Sequence, residues 1–159
     1  MTNQLISKIK FSPRKEGVLI ISALVAMALL IRIGFTSYDI PLLVDALDYY
    51  LFAYHIITEW NFPKGILPTN DGWSLLLTFF FMFFRDTDFM TLNALQKTLG
   101  SIISVITIIP VFYLCRQFVS KKLAIIGSSL FIFDPRILQN STLGITEPLY
   151  IFLSSLILV

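Results

Sequence analysis

The 159-residue chain contains one Cys and one His, and only 14% of its residues are Asp, Glu, Lys or Arg. A single cysteine, Cys115, rules out an intrachain disulfide framework. A soluble domain is about 25% charged, so the scarcity of charge argues against a disordered tail and against a cytosolic enzyme domain. The formal net charge of +2 is too small to point to nucleic acid, and no nucleic-acid partner is expected. There is no internal repeat, low-complexity tract or Gly/Ser-rich linker. What fills the chain is apolar: 56% hydrophobic residues with fifteen Phe and six Tyr, and a mean hydropathy of +0.80. The expectation is an all-α, polytopic membrane protein with about four transmembrane helices.

Charge position gives the topology. Residues 1–17 carry Lys8, Lys10, Arg14 and Lys15 against Glu16 and read as a cytoplasmic N-terminus, because positive residues stay inside. Residues 18–33 form the first span, retained as an anchor since no Ala-x-Ala cleavage chemistry follows it. Residues 34–91 then hold Asp39, Asp45, Asp48, Glu59, Asp71, Asp86 and Asp88 against Lys64 and Arg85. That is the composition of a long extracytoplasmic loop. Residues 92–114 return through the membrane to a basic cytoplasmic turn over 115–122, with Arg116, Lys121 and Lys122. Residues 123–135 cross outward, 136–145 make a second outer loop, and 146–159 begin a fourth span. The last run ends apolar with no charged flank, so the chain reads as the N-terminal piece of a larger protein, inactive on its own. The localisation expected is the cell membrane in a prokaryote or the endoplasmic reticulum membrane in a eukaryote.

One stretch tests this scheme. Trp73–Phe84 is strongly apolar, yet twelve helical residues span only about 18 Å. If it crossed, the cluster Arg116–Lys122 would face outside, against the charge rule. The segment is therefore expected to be interfacial or re-entrant, one of two helices in the first outer loop. The other runs over 41–60, with Pro41 in its first turn. There Asp45, Asp48, Phe52, His55 and Glu59 share a helical face, which reads as an acid stripe turned to water or to a cleft.

Two acids stand out as site candidates. Asp45 opens the loop helix beside the outer membrane surface, where a carboxylate can bind a divalent cation through oxygen or accept a proton from a hydroxyl. Glu147 is the last acid of the chain and opens the final apolar run in Thr146-Glu147-Pro148-Leu149. An ionisable group at a transmembrane terminus is a functional candidate by default, although a helix N-terminus also favours it electrostatically. The topology puts both acids on the outer face. Arg136 is a candidate phosphate partner in the second outer loop, and Asp71 a candidate turn residue or third acid.

The order of these features resembles the N-terminal part of the GT-C glycosyltransferases. These are polyprenyl-phosphate-dependent membrane enzymes that include protein O-mannosyltransferases, aminoarabinose transferases and oligosaccharyltransferase catalytic subunits. The resemblance rests on Arg32, on Asp45-Ala46-Leu47-Asp48-Tyr49-Tyr50, on Asn70-Asp71-Gly72-Trp73-Ser74 and on Val111-Phe112-Tyr113-Leu114-Cys115-Arg116. It continues through Lys121-Lys122-Leu123-Ala124 and Asp134-Pro135-Arg136 to Gly144-Ile145-Thr146-Glu147-Pro148. It implies sugar transfer from a polyprenyl-phosphate-linked donor to a protein, lipid or glycan acceptor on the extracytoplasmic side. It implies that Asp45, with Tyr49 four positions on, is the catalytic acid of the first loop, and that Glu147 is the acid of the second. It also implies Mg²⁺ or Mn²⁺ in metal-dependent members, held here by Asp45, Asp48 and Glu147. Family members often carry two adjacent acids where this chain has Asp45 followed by Ala46. An oligosaccharyltransferase catalytic subunit is the alternative within the class. A non-enzymatic membrane subunit or a small transporter is the alternative outside it.

Overall fold

The computed structural model describes residues 13–42, 44–63 and 71–159, with side chains from Glu16 onward and excepting Asp71. The described residues are mostly helical, with no strand among them. The expectation of an all-α chain is met. The basic residues Lys8 and Lys10, Lys64 and the turn at Pro68-Thr69-Asn70 lie outside the described residues.

Helix α1 spans Pro13–Phe35. Next come α2, Val44–Glu59, and α3, Asp71–Phe81, prolonged by a single 3₁₀ turn over Met82–Phe84. Then follow α4, Phe89–Ile106, α5, Ile108–Phe118, α6, Lys121–Phe133, α7, Pro135–Thr142, and α8, Glu147–Leu158. Two stretches are long and apolar enough to cross a membrane, Glu16–Phe35 with 20 residues and Phe89–Phe118 with 30. Helices α6 and α8, at 13 and 12 residues, reach only about 18–20 Å at 1.5 Å per residue.

Several boundaries differ from those the sequence suggests, each for a local reason. Pro41 does not sit in the first turn of α2, which starts at Val44. The helix ends at Trp60, whose positive φ of 54° is the left-handed conformation that commonly closes a helix. The second long stretch extends beyond 92–114 at both ends and breaks at Thr107. Pro110 causes the break. It has no N–H to donate to the carbonyl of Ile106, and its ring crowds that carbonyl. The region 136–145 is not a plain loop. Asp134 accepts hydrogen bonds from the backbone N–H of Arg136 (2.9 Å) and Ile137 (3.0 Å), and Pro135 occupies the first helical position. These are the start signals of a helix, and α7 follows.

Interactions at the two ends of the bundle fix the direction of each helix. At one end Lys121 pairs with Glu16 at 2.8 Å, and Gln117 donates to the carbonyl of Val159 at 2.8 Å. The starts of α1 and α6 therefore lie with the ends of α5 and α8. At the other end Lys97 Nζ donates to the carbonyl of Ser37 and Gln96 to that of Gly144. The helices α1, α4–α5, α6 and α8 thus run in alternating directions.

Two apolar cores divide the molecule along α4 and α5. The first joins Leu24 and Ala28 of α1 to Val105, Ile108 and Phe112, with Ala124 and Ile132 of α6. The second joins Ala46, Tyr50 and Ala53 of α2 to Trp73, Leu77 and Phe81 of α3 and to Leu92 and Leu99 of α4. So α3 packs on α2 against the N-terminal half of α4, with Ile145 and Leu149 packed against the same core. Small residues permit the closest approaches. A Cβ at Gly100 lies 3.1 Å from the carbonyl oxygen of Ser141, and one at Gly127 lies 3.0 Å from Cys115 Sγ.

Candidate functional site

The residues that organise the Gly144 end of the bundle sit on one buried face of α4. Asn93, Gln96 and Lys97 fall at spacings of three and four, so they share that face. All three are buried. Gln96 Nε2 donates to the carbonyl of Ala46 at 2.8 Å and to that of Gly144 at 2.7 Å. Trp73, completely buried, donates its indole N–H to the same Gly144 carbonyl at 3.0 Å. Gly144 has φ +78°, and a Cβ there would stand 3.0 Å from Gln96 Cγ. Both facts require glycine at this position. Asn93 Nδ2 donates to the carbonyl of Ile40 at 3.3 Å. Lys97 Nζ donates to the carbonyls of Ser37 at 2.8 Å and Ile40 at 2.5 Å.

This arrangement ties together the two loops that carry the sequence-nominated acids. Ala46 is the neighbour of Asp45, and Gly144 lies three residues before Glu147. Asp45 and Asp48 are exposed, while Glu147 is half-buried at the start of α8 with Pro148 buried behind it. The acid stripe on α2 differs from the expected one. Phe52 is 5% exposed and packs near Phe62, whereas Leu51 and Tyr54 are 41% and 39% exposed. The buried stripe is Ala46, Tyr49, Tyr50, Ala53 and Ile57, because the alanines let α2 approach its neighbours closely. The solvent face is therefore Asp45, Asp48, Leu51 and Tyr54. His55 is half-buried and Glu59 exposed.

An aromatic cluster closes the far side. Tyr50 stacks on Tyr54 at 5.7 Å and meets Phe81 and Phe89 at 5.4 and 4.9 Å. Burial pushes its hydroxyl up to about 12, and the charges of Tyr54 and Asp88 add to the rise. Asp88 caps α4 by accepting from Thr91 Oγ1 at 2.6 Å and Met90 N–H at 3.0 Å. The Thr91 bond is the chief reason its carboxyl is held below the ordinary range.

Between the two loops lies an open cavity of about 190 Å³. Phe35 at the end of α1 and Ser37 and Ile40 after it line the cavity, with Ala46 of α2, Lys97 of α4 and Ile145 before α8. Arg136, nominated as a phosphate partner, is exposed on α7 and does not line this cavity. The metal set also differs from what the resemblance implies. Among the described residues no three His, Cys, Asp or Glu side chains gather where a metal ion could be held, so Asp45, Asp48 and Glu147 do not form a three-carboxylate cage. No chemistry below runs through a metal.

Arg32 is fully buried. It donates to Ser104 Oγ through Nε at 3.1 Å and Nη2 at 2.8 Å, and to the carbonyl of Ala28 at 3.4 Å. It fastens the last turn of α1 to α4. The functions of Gln96, Asn93 and Trp73 escaped the sequence, although three polar residues at helical spacing in an otherwise apolar run were the available signal. Comparison with protein-family models, with curated proteins and with solved structures gives no match.

Proposed function

We propose that this chain is a polytopic membrane protein whose outer face carries sugar transfer from a polyprenyl-phosphate-linked donor, in the manner of the GT-C glycosyltransferases. In this account α1, α4–α5, α6 and α8 are the four spans, and α2 and α3 lie outside the hydrocarbon. The exposed apolar residues of those four spans support it, among them Leu30 and Ile33, Ile102 and Ile109, and Ile126 and Leu130. A lipid-facing belt needs such a surface. The stretch from Ser101 to Phe118 gives about 27 Å, close to the roughly 30 Å of hydrocarbon. The remaining turns of α4 reach into the outer core.

The observation that carries the proposal is the double hydrogen bond of Gln96. One side chain holds the main chain beside Asp45 and the main chain before Glu147, bringing loops from distant parts of the sequence to one end of the bundle. Asp45, exposed at the start of its helix, is the base. It accepts the proton of the acceptor hydroxyl as the acceptor oxygen bonds to the sugar C1, and the bond from C1 to the lipid phosphate oxygen breaks. Glu147 and the Gln96 clamp shape the acceptor side. Acceptors are proteins, lipids or glycans presented at the outer surface.

The test is sugar transfer in membranes from cells expressing the protein in its native length. D45N is expected to lower transfer by a factor of about 10²–10⁴, the usual contribution of a positioned base, with membrane insertion unchanged. Full transfer activity in both D45N and E147Q would remove the assignment. A transporter is distinguished in the same preparation, since solute flux without transfer would favour that class.

A further inference from the structure

We propose that the Lys122 end of the bundle is a docking surface for the anionic lipid headgroups of one membrane leaflet. Three helix ends meet there. Helix α5 stops at Phe118 and α6 starts at Lys121, so Arg116, Lys121 and Lys122 flank one tight turn. The 2.8 Å ion pair between Lys121 and Glu16 sets the first turn of α1 beside it, and that turn also contains Arg14 and Lys15. The sequence holds no acid in residues 89–133 and only Glu16 before Asp39, so a single carboxylate stands among these cations.

The protein leaves most of this charge unanswered. Glu16 neutralises Lys121, but neither Arg116 nor Lys122 pairs with a carboxylate among the described residues, and both are exposed. Arg116 donates to the carbonyl of Val119 at 2.9 Å, which uses one of the five N–H groups of a guanidinium. Two lysines in the first turn of α6 also oppose the dipole of that helix, which is positive at its start. Negative charge outside the protein turns that repulsion into attraction. The apolar neighbours select the partner. Phe118 is 79% exposed, and Val18, Leu19 and Leu123 are exposed on the adjoining turns of α1 and α6. Cations interleaved with bare apolar side chains suit the boundary between headgroups and acyl chains. There the ring enters hydrocarbon while long basic side chains reach up to phosphate. A soluble acidic partner would satisfy the charges and leave Phe118 in water.

This surface lies at the opposite end of the bundle from Gly144 and Glu147, and it rests on the membrane reading above but not on sugar transfer. In a C115S background, F118C is labelled with bimane and the full chain is reconstituted in phosphatidylcholine vesicles. These contain equal fractions of either brominated phosphatidylglycerol or brominated phosphatidylcholine, and bromine quenches the label only at contact range. A basic side chain near an anionic surface is favoured by about 1 kcal/mol, a factor of about five. Phosphatidylglycerol should therefore be enriched about fivefold or more at the label. The enrichment should fade in about 1 M salt, where the Debye length is about 3 Å. The same label at F133C, at the far end of α6, should show none. The double variant R116Q/K122Q should abolish the enrichment. Because Arg116 also holds the turn at Val119, K122E serves as a second variant that leaves that contact in place, and it should abolish the enrichment too. Equal quenching by the two lipids at F118C would overturn the proposal, as would an equal enrichment at F133C or an undiminished one in both variants. Quenching by neither lipid would place Phe118 in water, as a soluble acidic partner requires, and would overturn the membrane reading together with this proposal.

Discussion

Replacing Gln96 by Leu removes the two hydrogen bonds that join the outer loops while nearly preserving volume. Each neutral bond contributes about 0.5–1.5 kcal/mol net, so the pair sets a loss of about 1–3 kcal/mol. Part of this is returned. Gln96 Oε1 is buried with no hydrogen-bond partner, and Q96L deletes that stranded acceptor too. Gly144 keeps its bond from Trp73. The net expectation is about 1–2 kcal/mol, equivalent to a factor of roughly 5–30 in a local opening equilibrium. Hydrogen exchange of the amides in 44–48 and 143–147 should accelerate by that factor in both segments together, with little change in α5 and α6. Global stability is read from a dye that reacts with Cys115, the single thiol, which is half-buried in the bundle. At about 2–4 °C per kcal/mol for a chain of this size, Q96L should unfold about 2–8 °C earlier. Q96E should be worse, because a buried carboxylate cannot donate to two carbonyl oxygens. If exchange in either segment is unaltered in Q96L, or if Q96E matches the wild type, Gln96 is not the clamp described.

Three further outcomes follow from other contacts. G100V should destabilise by about 1–3 kcal/mol through overpacking, because the Cβ position is already 3.1 Å from the Ser141 carbonyl oxygen, a test for the same thiol-dye melt. S104A should cost more than R32M: the first strands a buried guanidinium without its side-chain acceptor, whereas the second removes the charge together with its need. A double-mutant cycle in which R32M abolishes the effect of S104A confirms this, and additivity refutes it. The Asp88 cap should fail in acid. Its folded pKa lies below the ordinary 3.8, so its contribution is complete above that value and fades as pH falls through the lower, folded one. NMR should show the start of α4 fraying there in the wild type and at neutral pH in D88A.

The all-helical architecture was open to reading because long apolar runs with little charge are buried most readily as helices. The acids of 34–91 and the cluster Arg116–Lys122 set apart the two ends of the bundle. The shortness of Trp73–Phe84 marked α3 as a separate, short apolar helix. Other features were hidden for physical reasons. Nothing in the sequence around Lys97 shows that its ammonium holds the loop at Ser37 and Ile40, a contact made across sixty residues of chain. Asp134-Pro135 reads equally as a turn or a helix start, and only the bonds to Arg136 and Ile137 decide. The exposed face of α2 was misplaced by Phe52, since helical spacing alone does not say which neighbour will cover a ring.

The claim on which the rest depends is that Asp45 and the second loop share one face of the membrane, opposite Lys122. Asp45, Arg136 and Lys122 are all exposed, so each tolerates a single cysteine in a C115S background. A membrane-impermeant maleimide applied to intact cells should label D45C and R136C and leave K122C unlabelled until the membrane is opened. Labelling of D45C and R136C from opposite sides would contradict the account.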